Sequence, residues 1–190
     1  DLPLIINKRY SNSEIDIKIY QTINQAAAKR NLGADKSTSE YLCYLDDDCI
    51  PNSNYLKSVL NILKYFKPNH IYSGVVNFDS KLVKKSNYLT FRQNLLNKYK
   101  RTYGLNCSFM TAFSMNFIVE RSHLIKIRFD ERFESYGWED PEFFYRAISS
   151  GYILVHGNQE IIHAEETNFM NYLSKMYTQG YTLNTLKTAN

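Results

Sequence analysis

The chain is predicted to be a single α/β domain, a sheet sandwiched between helices, and three observations predict it. Helix-like and strand-like segments alternate along its length. A compact apolar strand, Tyr41-Leu42-Cys43-Tyr44-Leu45, runs directly into three acids, Asp46-Asp47-Asp48. The 190 residues, 44% of them hydrophobic, suffice for one sizeable core, and no internal repeat or low-complexity linker divides them.

Taken in order, Leu2 to Asn7 reads as a short apolar strand. Ile15 to Tyr20, where Ile alternates with polar residues, reads as a second, with the turn-like Ser11-Asn12-Ser13 between them. Asn24 to Ala34 carries Ala26, Ala27, Ala28 and Leu32 at helical density and is expected to stop at Gly33, before the strand Tyr41 to Leu45. Pro51-Asn52-Ser53 is placed to cap a helix with apolar positions Leu56, Val59, Leu60 and Leu63. Ile71 to Phe78 is a strand, Lys84 to Tyr99 is polar and partly helical, and Phe113 to Val119 is a strand before a helix near Ser122 to Lys126. Pro141 to Ser149 is a helix ended by Gly151, followed by the strand Tyr152 to Val155 and the pair Ile161-Ile162 before His163.

Charged residues are 22% and the formal net charge is only +4, so the long-range field is weak for a dedicated nucleic-acid binder, while a mild basic excess suits a phosphorylated ligand. Cys43, Cys49 and Cys107 cannot all pair and none shows CxxC spacing, which reads as reduced thiols of a cytoplasmic protein. No apolar stretch approaches the roughly 20 residues needed to cross a bilayer, and the first residues lack the regions of a signal peptide, so a soluble chain is expected. Aromatics at 15% supply core volume and flat surfaces on which sugar rings can stack.

The acid run comes directly after a strand, and in open α/β sheets ligands collect outside the carboxyl ends of strands. Three adjacent carboxylates repel one another, and a divalent cation with oxygen preference would neutralise two of them. In an extended stretch Asp46 and Asp48 project to one side and Asp47 to the other. The same acids could also form a solvated turn or cap a helix start. A second constellation, Phe129-Asp130-Glu131-Arg132-Phe133 and then Tyr136-Gly137-Trp138-Glu139-Asp140-Pro141-Glu142, sets carboxylates among aromatics just before a helix. It suggests a carbohydrate site, although an N-cap acid and a core Trp would look alike. His163 after a short strand is a candidate third metal ligand, though a lone His is more often structural.

These residues carry a resemblance. Gln25-Ala26-Ala27-Ala28-Lys29-Arg30-Asn31-Leu32-Gly33, Tyr41 to Pro51 and Phe129 to Arg146, in that order, resemble the GT-A glycosyltransferases over most of the chain. The first half is similar to family-2 enzymes such as bacterial chondroitin-type polymerases, and Phe129 to His163 to the C-terminal region of β-1,4-galactosyltransferase-like enzymes. The resemblance implies a Rossmann-like, nucleotide-sugar-binding α/β/α sandwich with a mixed, mostly parallel sheet, residues 1–190 forming one GT-A domain. It implies that Asp46 and Asp48 form a DxD motif, with Asp48 on Mn²⁺ or Mg²⁺, Asp46 on the metal or the donor ribose, and His163 as a further ligand. Asp47 and Arg30 would then belong to the donor site, Arg30 near the diphosphate. Asp140 would deprotonate the acceptor hydroxyl, Glu139 would bind acceptor or donor sugar, with the two roles open to exchange, and Trp138 would face the acceptor.

The resemblance further implies an inverting, single-displacement transfer of a hexose or N-acetylhexosamine from a UDP-sugar to a glycan hydroxyl. The setting would be surface or capsular polysaccharide synthesis, in the cytoplasm and at the inner face of the membrane through further regions or a partner. The family's acidic Asp-Asp-Gly-Ser-like turn is absent or altered here, and Leu2 to Asn7 fits the family's second strand, so the chain is expected to lack the first strand and helix. A glycosyltransferase-like carbohydrate-binding protein or scaffold without turnover is the alternative. A phosphoryl-transfer enzyme or nuclease is disfavoured by the modest charge and the lack of a phosphate-cradling glycine loop.

Overall fold

The structure, a computed structural model, describes residues 18–98, 102–164 and 168–189. The expected strand Leu2 to Asn7 and the turn Ser11-Asn12-Ser13 lie outside these residues, as does the first half of Ile15 to Tyr20, whose described part, Lys18 to Tyr20, is not a strand. Helix α1 (Ala26–Lys36) leads into β1 (Tyr41–Leu45), β2 (Cys49–Pro51), α2 (Tyr55–Lys64), β3 (His70–Phe78), a short α3 (Ser80–Val83) and α4 (Asn87–Lys98). After these come β4 (Asn116–Glu120), α5 (Arg121–Ile127), α6 (Glu139–Ser149), β5 (Ile153–His163) and α7 (Phe169–Ala189). No described helix is long and apolar enough to cross a membrane.

The strands form one five-stranded sheet in the order β1-β4-β3-β5-β2. The sheet is mixed, as expected: β1, β3 and β5 run one way, and β4 and β2 run against them. Among hydrogen-bonded neighbours only β3 and β5 are parallel, because β4 inserts between β1 and β3 against both, while β2 returns from the Asp turn along the outer edge of β5.

Alternation along the strands sends side chains to two opposite layers. Leu42, Ile71, Phe117, Val119 and Leu154 face α1, α5 and α6 through Ala27, Ala34, Leu124, Phe143, Phe144 and Ala147. Tyr72, Ile118 and Val155 face Val59 and Ile62 of α2. Phe117 is the hub of the first layer: it stacks on Tyr44 at 4.8 Å and meets Phe129, Phe143 and Phe144 edge-on at 6.2, 6.0 and 5.8 Å. Truncating so buried a ring typically costs about 3–5 kcal/mol.

Several local expectations are corrected. Helix α1 continues through Gly33 to Lys36 and closes with the Ser37 N–H donating to Gly33 O at 3.1 Å; a mid-helix glycine costs only about 1 kcal/mol, which packing of Ala27, Ala28 and Ala34 offsets. Pro51 ends β2 instead of capping a helix, and α2 begins after Asn54. That helix buries Val59 and Ile62 while Leu56 and Leu60 face outward. Tyr152 to Val155 and Ile161-Ile162 do not form separate elements: Ile153 to Val155 and the isoleucine pair belong to one continuous strand, β5. Helix α7 has no counterpart among the sequence expectations, although Phe169, Leu173, Tyr177 and Tyr181 recur along it at helical spacing; all four are exposed.

Polar latches bring the second half of the chain onto α1. The Asn31 side chain donates to Phe129 O and accepts from Phe129 N–H, both at 2.9 Å, and Gln25 Nε2 donates to Glu131 O and to Phe133 O, the latter at 3.0 Å. Arg146 of α6 donates to Ile127 O and to Arg128 O and pairs with buried Glu142. The start of α6 is thereby held beside the end of β1.

Candidate active site

The acid run forms a tight turn: the Cys49 N–H donates to Asp46 O at 3.2 Å. Extended alternation therefore does not apply, and Asp46 and Asp48 diverge. Asp46 turns toward α1, where Arg30 Nη2 lies 3.3 Å from its Oδ2. Asp48 turns toward the end of β5, where His163 Nε2 lies 3.0 Å from its Oδ2, and the Ala164 N–H donates to Asp48 O at 2.8 Å. The register Cys49↔His163 and Phe78↔His163 sets that pair at the sheet margin, with the His163 ring 5.8 Å from Phe78. Of the three expected metal ligands, the structure joins Asp48 and His163 and puts Asp46 on an arginine. Among the described residues no group of three His, Cys, Asp or Glu side chains forms a cation cage.

The Asp48 and His163 pair nevertheless fits a Mn²⁺-type or Mg²⁺-type cation by its donor chemistry. An imidazole nitrogen and a carboxylate oxygen lie side by side, and the Asp48 side chain is 50% exposed, which leaves room for phosphate oxygens and water. Cys49 is not a competing soft ligand. Burial, reinforced by the Asp48 and Asp46 carboxylates, pushes its thiol up to about 12, so it stays protonated.

The second constellation enters α6 through two residues in left-handed backbone, Gly137 (φ 109°) and Trp138 (φ 69°). The turn delivers Glu139 and Asp140 into the first helical turn, where the helix dipole favours acids. Asp140 is held at both oxygens: Oδ2 accepts the Ser114 N–H at 2.9 Å, Oδ1 accepts the Ser114 hydroxyl, and Arg30 Nη1 lies 3.6 Å from Oδ1. Glu139 Oε2 accepts the Gly137 N–H at 2.9 Å. Arg30 is only 9% exposed, lies over the Phe129 ring at 5.3 Å, and so bridges the end of β1 to the start of α6. Its Nε and Nη1 are buried without a hydrogen-bond partner among the described residues.

Burial pushes the Asp46 carboxyl above the usual range, with Arg30 opposing the shift and Asp140 and Asp48 adding to it. Burial likewise raises Glu139, and the neighbouring Asp140 charge adds to that. Both acids are thus drawn toward protonation by their surroundings and toward ionisation by one guanidinium.

A cleft of about 740 Å³ opens beside the Arg30 and Asp46 contact, lined among others by Lys29, Arg30, Tyr44, Asp46, Asp47 and Tyr136; Asp48, Glu139, Asp140 and His163 are not among its lining residues. Arg30, Asp46 and Asp47 therefore line one cleft. Trp138 is not among the lining residues, and its Nε1–H donates to Gln179 O of α7 at 3.1 Å, which ties its polar edge to the protein. The exposed aromatic lining the cleft is Tyr136, 47% exposed. Sequence reasoning missed Ser114 and Gln179, since an isolated serine and a glutamine backbone carbonyl carry no pattern of their own.

The family described as "Glycosyltransferase like family 2" matches residues 5–179. No curated protein matches the chain. Solved structures of similar fold include GalNAc-T7 crystallised with UDP, GalNAc and Mn²⁺, with a TM-score of 0.55 and 15% identity, over 88% of this chain and 35% of that one. They also include S. aureus TarS 1-349, with a TM-score of 0.51 and 16% identity, over 88% of this chain and 46% of that one. The chain thus spans between a third and a half of each of these two solved chains. The shared architecture is the GT-A fold; the chondroitin-polymerase and galactosyltransferase likenesses are finer than these matches reach.

Proposed function

The chain belongs to glycosyltransferase-like family 2, and on that premise we propose that it is an inverting, metal-dependent glycosyltransferase domain taking a hexose or N-acetylhexosamine from a UDP-sugar to a glycan hydroxyl. The observation that carries this reading is the bridge made by Arg30 between Asp46, at the end of β1, and Asp140, at the start of α6, beside the Asp48 and His163 pair. GalNAc-T7, of the same fold, was crystallised with UDP and Mn²⁺, which supports a nucleotide donor and a divalent ion here.

In this proposal Asp48 and His163 hold the cation, and Lys29, Arg30, Asp46 and Asp47 line the donor diphosphate and ribose. A bound divalent ion supplies charge stabilisation to the departing diphosphate. Asp140 takes the proton of the acceptor hydroxyl as its oxygen forms a bond to the anomeric carbon. The bond from that carbon to the β-phosphate oxygen breaks, and the sugar inverts in one displacement. Glu139, raised by burial, donates to or accepts from a sugar hydroxyl beside it. Tyr136 takes the acceptor-facing position that the resemblance assigns to Trp138, with Trp138 bracing the turn from behind.

We further take residues 1–190 as one GT-A domain, acting in surface or capsular polysaccharide synthesis in the cytoplasm at the inner membrane face, on the strength of the likeness of its first half to bacterial polymerases. The test is a panel of nucleotide sugars with Mn²⁺, scored for transfer to glycan primers and for donor hydrolysis. Turnover that falls at least roughly 100-fold in Asp140→Asn, with donor binding kept, is expected. Binding of nucleotide sugars without any turnover would instead favour a carbohydrate-binding scaffold.

A further inference from the structure

Four consecutive residues before and at the start of β4 tie the two halves of the site together. The Phe113 N–H donates to Ser73 Oγ of β3 at 3.3 Å. Ser114 gives both its N–H and its hydroxyl to the Asp140 carboxylate. The Met115 carbonyl accepts the Asp46 N–H at 3.3 Å. Asn116 Nδ2 donates to Val75 O at 3.1 Å and to Gln159 O at 3.0 Å.

The anchorage of this crosspiece is tight. Ser114 and Asn116 are both 0% exposed. The β3 to β5 register shifts between Ser73 and Val75, and a Cβ on Gly74 there would come within 2.3 Å of Asn116 Nδ2, so only glycine lets the crosspiece approach the strand. One end of the short segment is pinned to β3, the other to β3 and β5, and its middle holds the Asp140 carboxylate through Ser114 and the Asp46 backbone through Met115.

We propose that Ser114 is a positioning residue for the transfer reaction, fixing the Asp140 carboxylate at a set distance from Asp46 through adjacent residues of one rigid segment. The proposal rests on the glycosyltransferase reading above. Asp140 sits in the first turn of a helix entered through a strained turn, and a carboxylate on that turn could adopt several rotamers. Two donors from one residue select one of them, and because the next residue holds the Asp46 backbone, the base and the donor-site acid move as a unit. A carboxylate offers about four lone-pair sites, so the Ser114 and Arg30 contacts still leave capacity for the acceptor proton.

The experiment compares wild type, Ser114→Ala and Ser114→Thr for kcat, donor KM and UDP binding in the presence of Mn²⁺, and repeats Ser114→Ala in an Asp140→Asn background. Ser114→Ala keeps the backbone N–H and loses only the hydroxyl. Its kcat is expected to fall about 10-fold to 100-fold, the effect of losing one hydrogen bond to a charged group, with UDP affinity unchanged within about twofold. Ser114→Thr, which restores a hydroxyl, is expected to recover most of that loss. In the Asp140→Asn background the hydroxyl deletion should cost little more, because its partner is already altered. Wild-type kcat in Ser114→Ala, a parallel loss of turnover and UDP affinity, or an equal loss in the Asp140→Asn background would each overturn the proposal. An inactive wild type removes the glycosyltransferase reading and this inference with it. An active wild type matched by Ser114→Ala removes this inference alone.

Discussion

Replacing Arg30 by Met removes the guanidinium that lies between Asp46 and Asp140 while keeping an unbranched apolar stem over Phe129. Breaking a buried ion pair from one side costs about 3–5 kcal/mol. Here the Asp46 side chain is 37% exposed and Asp140 21% exposed, so solvent screens part of the loss, and roughly 3 kcal/mol at neutral pH is the expected cost. At about 2–4 °C per kcal/mol for a domain of this size, melting should fall by roughly 6–12 °C. The loss should depend on pH. Asp46 and Glu139 already have carboxyls raised above their ordinary values by burial, with Arg30 opposing both shifts. Without Arg30 both rise further. A raised carboxyl binds more protons folded than unfolded, so the stability it contributes is present at acid pH and lost as pH climbs through the folded value. Urea denaturation of wild type and Arg30→Met at about pH 5 and about pH 7.5 should therefore show the larger deficit at the higher pH. An equal deficit at both, or a larger one at the acid end, refutes the idea that one guanidinium holds these acids ionised.

Gly137→Ala should destabilise the chain by roughly 2 kcal/mol and lower turnover, since φ at 109° is strained for a side chain and the new Cβ would lie 2.5 Å from Gln179 Cγ and 3.2 Å from its Cα; thermal melting of the variant checks it, and an unchanged midpoint rejects it. Asp48→Asn and His163→Ala should each raise the Mn²⁺ concentration needed for half-maximal turnover by roughly 10-fold to 100-fold, with Asp47→Asn shifting it far less, as titration of activity with Mn²⁺ will show. Cys49, buried and pushed up to about 12, should resist iodoacetamide in the native protein near pH 8 and react once urea unfolds it, which peptide mass spectrometry of Cys49 reads directly.

Much of the frame was legible in the residues. The strand Tyr41–Leu45 and the acids after it, the helix ending at Ser149 and the strand containing Ile71 to Phe78 come from local pattern, because a buried strand and an amphipathic helix each repeat at a period that sequence displays. Pairing direction was not legible: nothing local to Asn116–Glu120 says that it lies between β1 and β3 and runs against both. Nor was the continuity of β5, where the polar stretch between Val155 and Ile161 reads as a break until Gln159 is seen donating to Tyr72 O and Glu160 pairing with Asn52 and Asn77.

By itself, then, the sequence determined which residue types could carry chemistry: an acid run after a strand, a pair of acids before a helix, an arginine on the first helix and a late histidine. Only the tertiary structure decided how these divide. The acid run closes as a turn through Asp46 O and Cys49 N–H, so its first member goes to Arg30 and its last to His163. The partition is fixed by long-range contacts, Arg30 to Asp140, Asp48 to His163 and Ser114 to Asp140, and such contacts depend on how strands order and helices dock, which local pattern does not encode.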